Sequence, residues 1–81
     1  MGRSTMKVQL LVTKTDFNLP NLEREFQDLG VDYKVEYVEE QPEMVSALNI
    51  RHSPNIIVDG ELAFQRQPSE SELRAYFMKY A

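Results

Sequence analysis

The chain has 81 residues and a formal charge of −4, from nine Lys and Arg against thirteen Asp and Glu. That length holds one small domain near the lower limit for a single core, and a 42% apolar content separates it from disordered sequences. The absence of cysteine excludes a disulfide framework and a thiolate zinc site, the acidic balance without a Lys/Arg run argues against nucleic acid, and no apolar run reaches the length of a membrane span.

No signal-peptide pattern follows the N-terminus, so the cytoplasm is the default location. Residues 1–5 read as an added or flexible leader ahead of Met6, and 6–81 as the domain. The first strand is "VQLLV", Val8 to Val12, apolar at nearly every position. After the junction "TKTDFNLPNL", Leu22, Phe26 and Leu29 recur at helical spacing, and Gly30 supplies the helix end. Pro20 suits a first helical turn and disfavours helix at the residue before it, which places the start of this helix at Pro20.

"DYKVEYV" alternates, with Tyr33, Val35 and Tyr37 on one face and Lys34 and Glu36 on the other, and predicts a half-exposed strand from Tyr33 to Val38. "QPEMVSALN" predicts a short helix opened by Pro42 and closed around Asn49. Two β-type runs, Ile56–Val58 and Leu62–Phe64, flank Asp59-Gly60, the strongest hairpin signal in the chain. Finally "SESE", Ser69 to Glu72 behind Pro68, has the form of a capping box and launches a helix that buries Leu73, Phe77 and Tyr80, with Tyr76 beside them.

The order is therefore β-α-β-α-β-β-α, a single α/β unit. Strands apolar throughout are covered on both faces, which makes the first and third central and the second and fourth edges. That gives a four-stranded mixed sheet of order 2-1-3-4 with helices on both faces. Its first two strands are parallel across a crossover, and its last is antiparallel to the third.

With that order, the chain resembles the thioredoxin-like superfamily, and within it the small glutaredoxin-like members. "LLVTKTD" is similar to the strand end that enters the active-site loop. "NIRHSPNIIVDGEL" is similar to the segment in which a cis-proline precedes the third strand and its hairpin, and "PSESEL" to the start of the closing helix. The likeness runs from Lys7 to the C-terminus. Active members carry a Cys-x-x-Cys pair at the start of the first helix. Counting back from Gly30 sets that pair at Asp16 and Leu19, while counting forward from "TK" sets it near Phe17 and Pro20. Both registers stay open, and neither position holds a thiol. Dithiol exchange needs a thiolate nucleophile, so this polypeptide cannot perform it.

The resemblance implies a cis bond at Ser53-Pro54, with the Ser53 backbone facing a bound peptide or glutathione. It also makes Lys14 the partner of the glutathione glycine carboxylate. The family's glycine pair after the fourth strand, followed by an acidic residue, is missing, and "FQRQPSE" stands there, where Ser69 or Ser71 offers a hydroxyl. Phe17, Asn18, His52, Pro54 and Ser71 complete the candidate ligand surface. The local readings are plainer. Asp16 or Asn18 caps the helix N-terminus, His52 is an exposed loop histidine without a catalytic partner, and the four tyrosines pack at the core or its rim. Glu36, Glu39, Glu40 and Glu43 form a solvated acidic surface without calcium-loop spacing.

No catalytic residue, metal ligand or enzyme constellation emerges. The reading that follows is a redox-inactive module, monomer or weak dimer, that binds a protein or peptide partner in the groove beside Ser53-Pro54. The alternative is a glutathione- or thiol-ligand-binding domain. Glutathione is the one cofactor the sequence suggests.

Overall fold

The computed structural model describes residues 6–78; the leader and Tyr80 readings lie outside them. Its elements run β1 (Val8–Val12), α1 (Leu19–Leu29), β2 (Lys34–Tyr37), a 3₁₀ turn (Val38–Glu40), α2 (Pro42–Leu48), β3 (Asn55–Val58), β4 (Glu61–Phe64) and α3 (Glu70–Met78). One four-stranded sheet has the order β2-β1-β3-β4. β1 and β2 are parallel, whereas β1 with β3 and β3 with β4 are antiparallel, so the sheet is mixed with β1 and β3 central, as the apolar runs required.

The punctuation residues account for the element ends. Gly30 is left-handed at φ 70°, and the N–H groups of Gly30 and Val31 bond the carbonyls of Gln27 and Phe26, closing α1 in a Schellman turn. Asn49, at φ 56°, closes α2 through the same pattern with Ser46 and Val45. Asp59 and Gly60 both have positive φ, and Val58 pairs with Glu61, which makes the two-residue type I′ hairpin the dipeptide signalled. At the start of α3 the Ser69 N–H bonds Glu72 at 2.8 Å and the Glu72 N–H bonds Ser69 Oγ at 3.1 Å, a reciprocal capping box.

Several boundaries differ from the sequence reading: β2 begins at Lys34 and not Tyr33, β3 at Asn55 and not Ile56, and β4 at Glu61 and not Leu62. α1 begins at Leu19, one residue ahead of Pro20, because a proline is accommodated at the second helical position and Leu19 packs against the core. β2 stops at Tyr37, since Val38 turns into the 3₁₀ segment that carries Glu39 and Glu40.

Alternation divides the sheet into two faces. On one, Val8, Leu10, Ile56 and Val58 meet Leu22 and Phe26 of α1 and Leu73 and Phe77 of α3. The Phe26 ring lies edge-on to Phe77, with centroids 5.4 Å apart, and tilts against Tyr33 at 5.7 Å. Tyr76 packs edge-on to Phe64. Each fully buried Leu, Ile or Phe contributes about 2–3 kcal/mol, and this face supplies most of the stability. The other face, with Gln9, Leu11 and Ile57, carries α2.

Candidate functional site

The end of β1, the loop to α1 and the turn before β3 converge. Ser53 ties them together. Its Oγ accepts the Thr13 N–H at 3.1 Å and donates to Asp16 Oδ2 at 2.5 Å. Asp16 Oδ1 accepts the Asn18 N–H at 2.9 Å, and the Asp16 N–H closes a turn on the Thr13 carbonyl. One carboxylate and one hydroxyl thus lock the loop of residues 13–18 onto the turn of residues 52–54.

The capping reading needs a correction here. Asn18 occupies the N-cap position of α1, but its side chain makes no capping bond. Asp16 does act on the helix entrance, yet through the N–H of Asn18, and it spends its second oxygen on Ser53. The reason is position: Asp16 lies two residues before the cap, where a short carboxylate closes a local turn instead of reaching the first helical N–H groups.

The Ser53-Pro54 peptide bond is cis. Behind it Asn55, buried at the head of β3, donates to the carbonyls of Leu11 at 3.2 Å and His52 at 2.5 Å, and its Oδ1 is buried without a partner among the described residues. These bonds fix the turn to the central strand from inside. Sequence reasoning missed Asn55; the signal was a polar residue opening an otherwise apolar central strand.

Lys14 leaves the loop toward the 3₁₀ turn. Its N–H is held by the Glu39 carboxylate at 3.2 and 3.3 Å, and its Nζ pairs with Glu40 at 2.9 Å, 6.0 Å from the centre of the Tyr37 ring. The hydrogen bond that Lys14 donates to Glu40, and then the Glu40 charge, raise the Lys14 pKa above the ordinary lysine value. The acidic stretch is accordingly not just a solvated surface. Glu39 and Glu40 hold Lys14, and Glu36 accepts from Gln9 Nε2 at 2.9 Å and faces Lys34 at 3.6 Å. Apart from Lys34, two residues before Glu36 on β2, their partners lie on other strands and loops, beyond the reach of local spacing.

Phe17 stands out on the loop at 91% exposure, between Asp16 and Asn18. Asn18 and Pro20 are exposed, and Leu19 is half-buried. His52 is exposed, and its imidazole makes no hydrogen bond among the described residues, so no relay joins it to Ser53 or Asp16. Ser71 is exposed in the first turn of α3, and no hydrogen bond among the described residues joins it to Lys14 or Ser53. Ser69, the other hydroxyl considered, already serves the capping box. The structure therefore brings Lys14, Asp16, Phe17, Asn18, Ser53 and Pro54 onto two adjoining segments and leaves Ser71 unlinked. Among the described residues no group of three or more His, Asp and Glu side chains could hold a metal ion, and no helix is long and apolar enough to cross a membrane.

A family model for the thioredoxin domain matches residues 13–78. Among solved structures, thioredoxin from Fasciola hepatica superposes with a TM-score of 0.71 over 98% of this chain and 84% of that chain, at 14% sequence identity. At that identity the likeness shows the fold. A comparison with curated proteins finds no match.

Proposed function

The chain belongs to the thioredoxin-domain family, and from that premise we propose that it is a member without thiol chemistry that binds a protein or peptide segment at the joined loops. With no cysteine in its 81 residues it has no thiolate to attack a disulfide. The loop that precedes α1 is nonetheless kept in one shape by Asp16 and Ser53. The observation that carries the proposal is Phe17. A large aromatic ring at 91% exposure, on a loop pinned at both sides, is a pre-ordered anchor that loses little entropy on docking.

The glutathione reading draws less support. Lys14 is already paired with Glu40, and its backbone N–H with Glu39. A carboxylate ligand would have to displace Glu40, which an exposed pair permits but does not favour.

Photo-crosslinking from position 17 tests the proposal. With p-benzoylphenylalanine in place of Phe17, discrete adducts form in cells, and they weaken when Ser53→Ala loosens the loop. The same probe in place of Glu61, on the edge strand β4, gives none of them. Absence of adducts from position 17, or an identical pattern from position 61, would overturn the reading. Amide NMR with millimolar reduced glutathione separates the alternative, which requires saturable shifts at Lys14, Ser53 and Ser71.

A further inference from the structure

The two faces of the sheet are unequally covered. Among the described residues two helices close one face, whereas the other carries α2 alone, seven residues long and without a single buried residue. Between α2 and the sheet lies a groove of about 420 Å³, within the size range of binding sites. Met44, Ala47, Leu48 and Ile57 line it with apolar surface, and Gln9, Gln41 and Glu43 with polar groups. No residue of the Thr13–Asn18 loop or the His52–Pro54 turn takes part.

Charge and hydrogen-bonding capacity say what the groove accepts. Its lining contains one carboxylate and no cation. Glu36, Glu39 and Glu40 are each engaged by a cation or a donor, but Glu43 has neither an ion pair nor a side-chain hydrogen bond among the described residues. Gln9 sits on a central strand at 6% exposure. Its Nε2 donates to Glu36, and its carboxamide oxygen has no partner among the described residues. That oxygen is not one of the buried polar atoms left unpartnered, so it keeps access to the groove that Gln9 lines and stands there as an open acceptor. Both open groups are acceptors beside an apolar floor, so the fitting occupant has an aliphatic body and a cationic donor. A second copy of this chain fits poorly, because each copy carries a net charge of −4 and would set Glu36 and Glu43 against an acidic rim.

We propose that this groove docks a short segment of a partner protein that places an aliphatic side chain next to an arginine or lysine. The aliphatic group rests on Met44, Leu48 and Ile57, and the cationic head meets Glu43 and the Gln9 oxygen. The surface is separate from the Phe17 loop and stands whether or not that loop binds a partner.

The test is an amide NMR titration of the full chain with a blocked hexapeptide, Gly-Leu-Arg-Leu-Lys-Gly, and with its counterpart carrying Glu for Arg and Lys. The basic peptide produces saturable shifts at Gln9, Met44, Leu48 and Ile57, and the acidic one does not. Ala47→Trp, at an exposed position that fills the groove, abolishes them. Glu43→Gln weakens binding roughly threefold to fivefold, the size of one rim charge. Glu43→Lys, also at an exposed position, abolishes binding without touching the core and keeps the test open should the tryptophan variant misfold. With peptide, any of three results would overturn the proposal: shifts spread over the acidic surface and indifferent to Ala47→Trp, shifts confined to residues 13–18 and 52–54, or no shifts at millimolar peptide. The second of these would support the Phe17 loop while removing the α2 groove. Concentration-dependent shifts of the same groove residues without peptide would mean self-association and would also overturn it.

Discussion

The two longest helices begin in opposite ways. α3 is opened by its own residues: Ser69 and Glu72 exchange hydrogen bonds three positions apart, and Arg66 grips Glu72 at 3.0 and 2.6 Å. α1 has no side-chain cap at its N-cap residue, and the nearby carboxylate of Asp16 reaches instead to Ser53, 37 residues away. One start is a closed local device that serves the helix. The other leaves the helix end open and uses the same chemical group to join two loops. In a family whose chemistry resides at the start of the first helix, the difference marks where this chain keeps a shaped surface and where it only keeps a fold.

The largest effect is expected where the long-range device is broken. Ser53→Ala strands the Thr13 N–H and one Asp16 oxygen in a partly buried site, at a cost of about 1–2 kcal/mol. Urea unfolding of Ser53→Ala, Asp16→Ala and the double variant completes a thermodynamic cycle. The two changes should fail to add by about 1 kcal/mol, because each removes the same bond. Additivity would mean that the loops are held by something other than this pair, and the contrast between the helix starts would lapse.

Ser69→Ala should cost about 1 kcal/mol, typical of a lost N-cap, and should leave the amide shifts of residues 13–18 unmoved. The same corner has a pH signature. The Arg66 hydrogen bond, and then the Ser69 N–H, hold the Glu72 carboxyl down to about 2 from an ordinary value of 4.5. A depressed folded pKa gives stability that is present above 4.5 and is lost as pH falls toward 2. Glu25 works the other way. Burial, with Glu70 and Asp28 nearby, raises its carboxyl, so its unfavourable charge is relieved on acidification. The difference between the native chain and Glu72→Gln, whose amide oxygen can still accept the Ser69 N–H, isolates the contribution of the charge. It should shrink steadily below pH 4.5, and a difference flat from pH 7 to 2 would mean that the carboxylate charge contributes nothing at this corner.

What could be read beforehand follows the same division. The Asp59-Gly60 turn, the Gly30 and Asn49 helix ends and the Ser69–Glu72 box are set within three or four residues, and their sequence signals sufficed. The central strands were legible too, because burial on both faces leaves a short, largely apolar run such as "VQLLV", too short for a buried helix and rich in β-branched and aliphatic residues. The site was legible as a list of residues but not as a network. Nothing local says that Asp16 belongs to Ser53, that Glu39 and Glu40 belong to Lys14, or that Asn55 braces the turn. Those partners meet only once β1 is flanked by β2 and β3. The thin cover of α2 escaped notice for a related reason: Met44 and Leu48 have the spacing of a buried face whether or not enough sheet is present to bury them.

The smallest effect is expected at Lys14, and it separates the pinned loop from its charged surroundings. The Lys14–Glu40 pair is about half exposed on both sides, so solvent screens most of its attraction. Lys14→Met should therefore change unfolding less than any variant above, and about 0.5 M salt should shrink the difference further, since that concentration shortens the screening length to about 4 Å. At alkaline pH the sign is fixed. The lysine pKa is raised by Glu40, so the stabilisation is complete below 10.5 and disappears as pH rises through the folded value. A loss at neutral pH that matched Ser53→Ala and persisted in salt would contradict this ordering. The loop would then depend on the ammonium as much as on the hydroxyl, and an anionic ligand competing for Lys14 would disturb the surface that Phe17 offers to a partner.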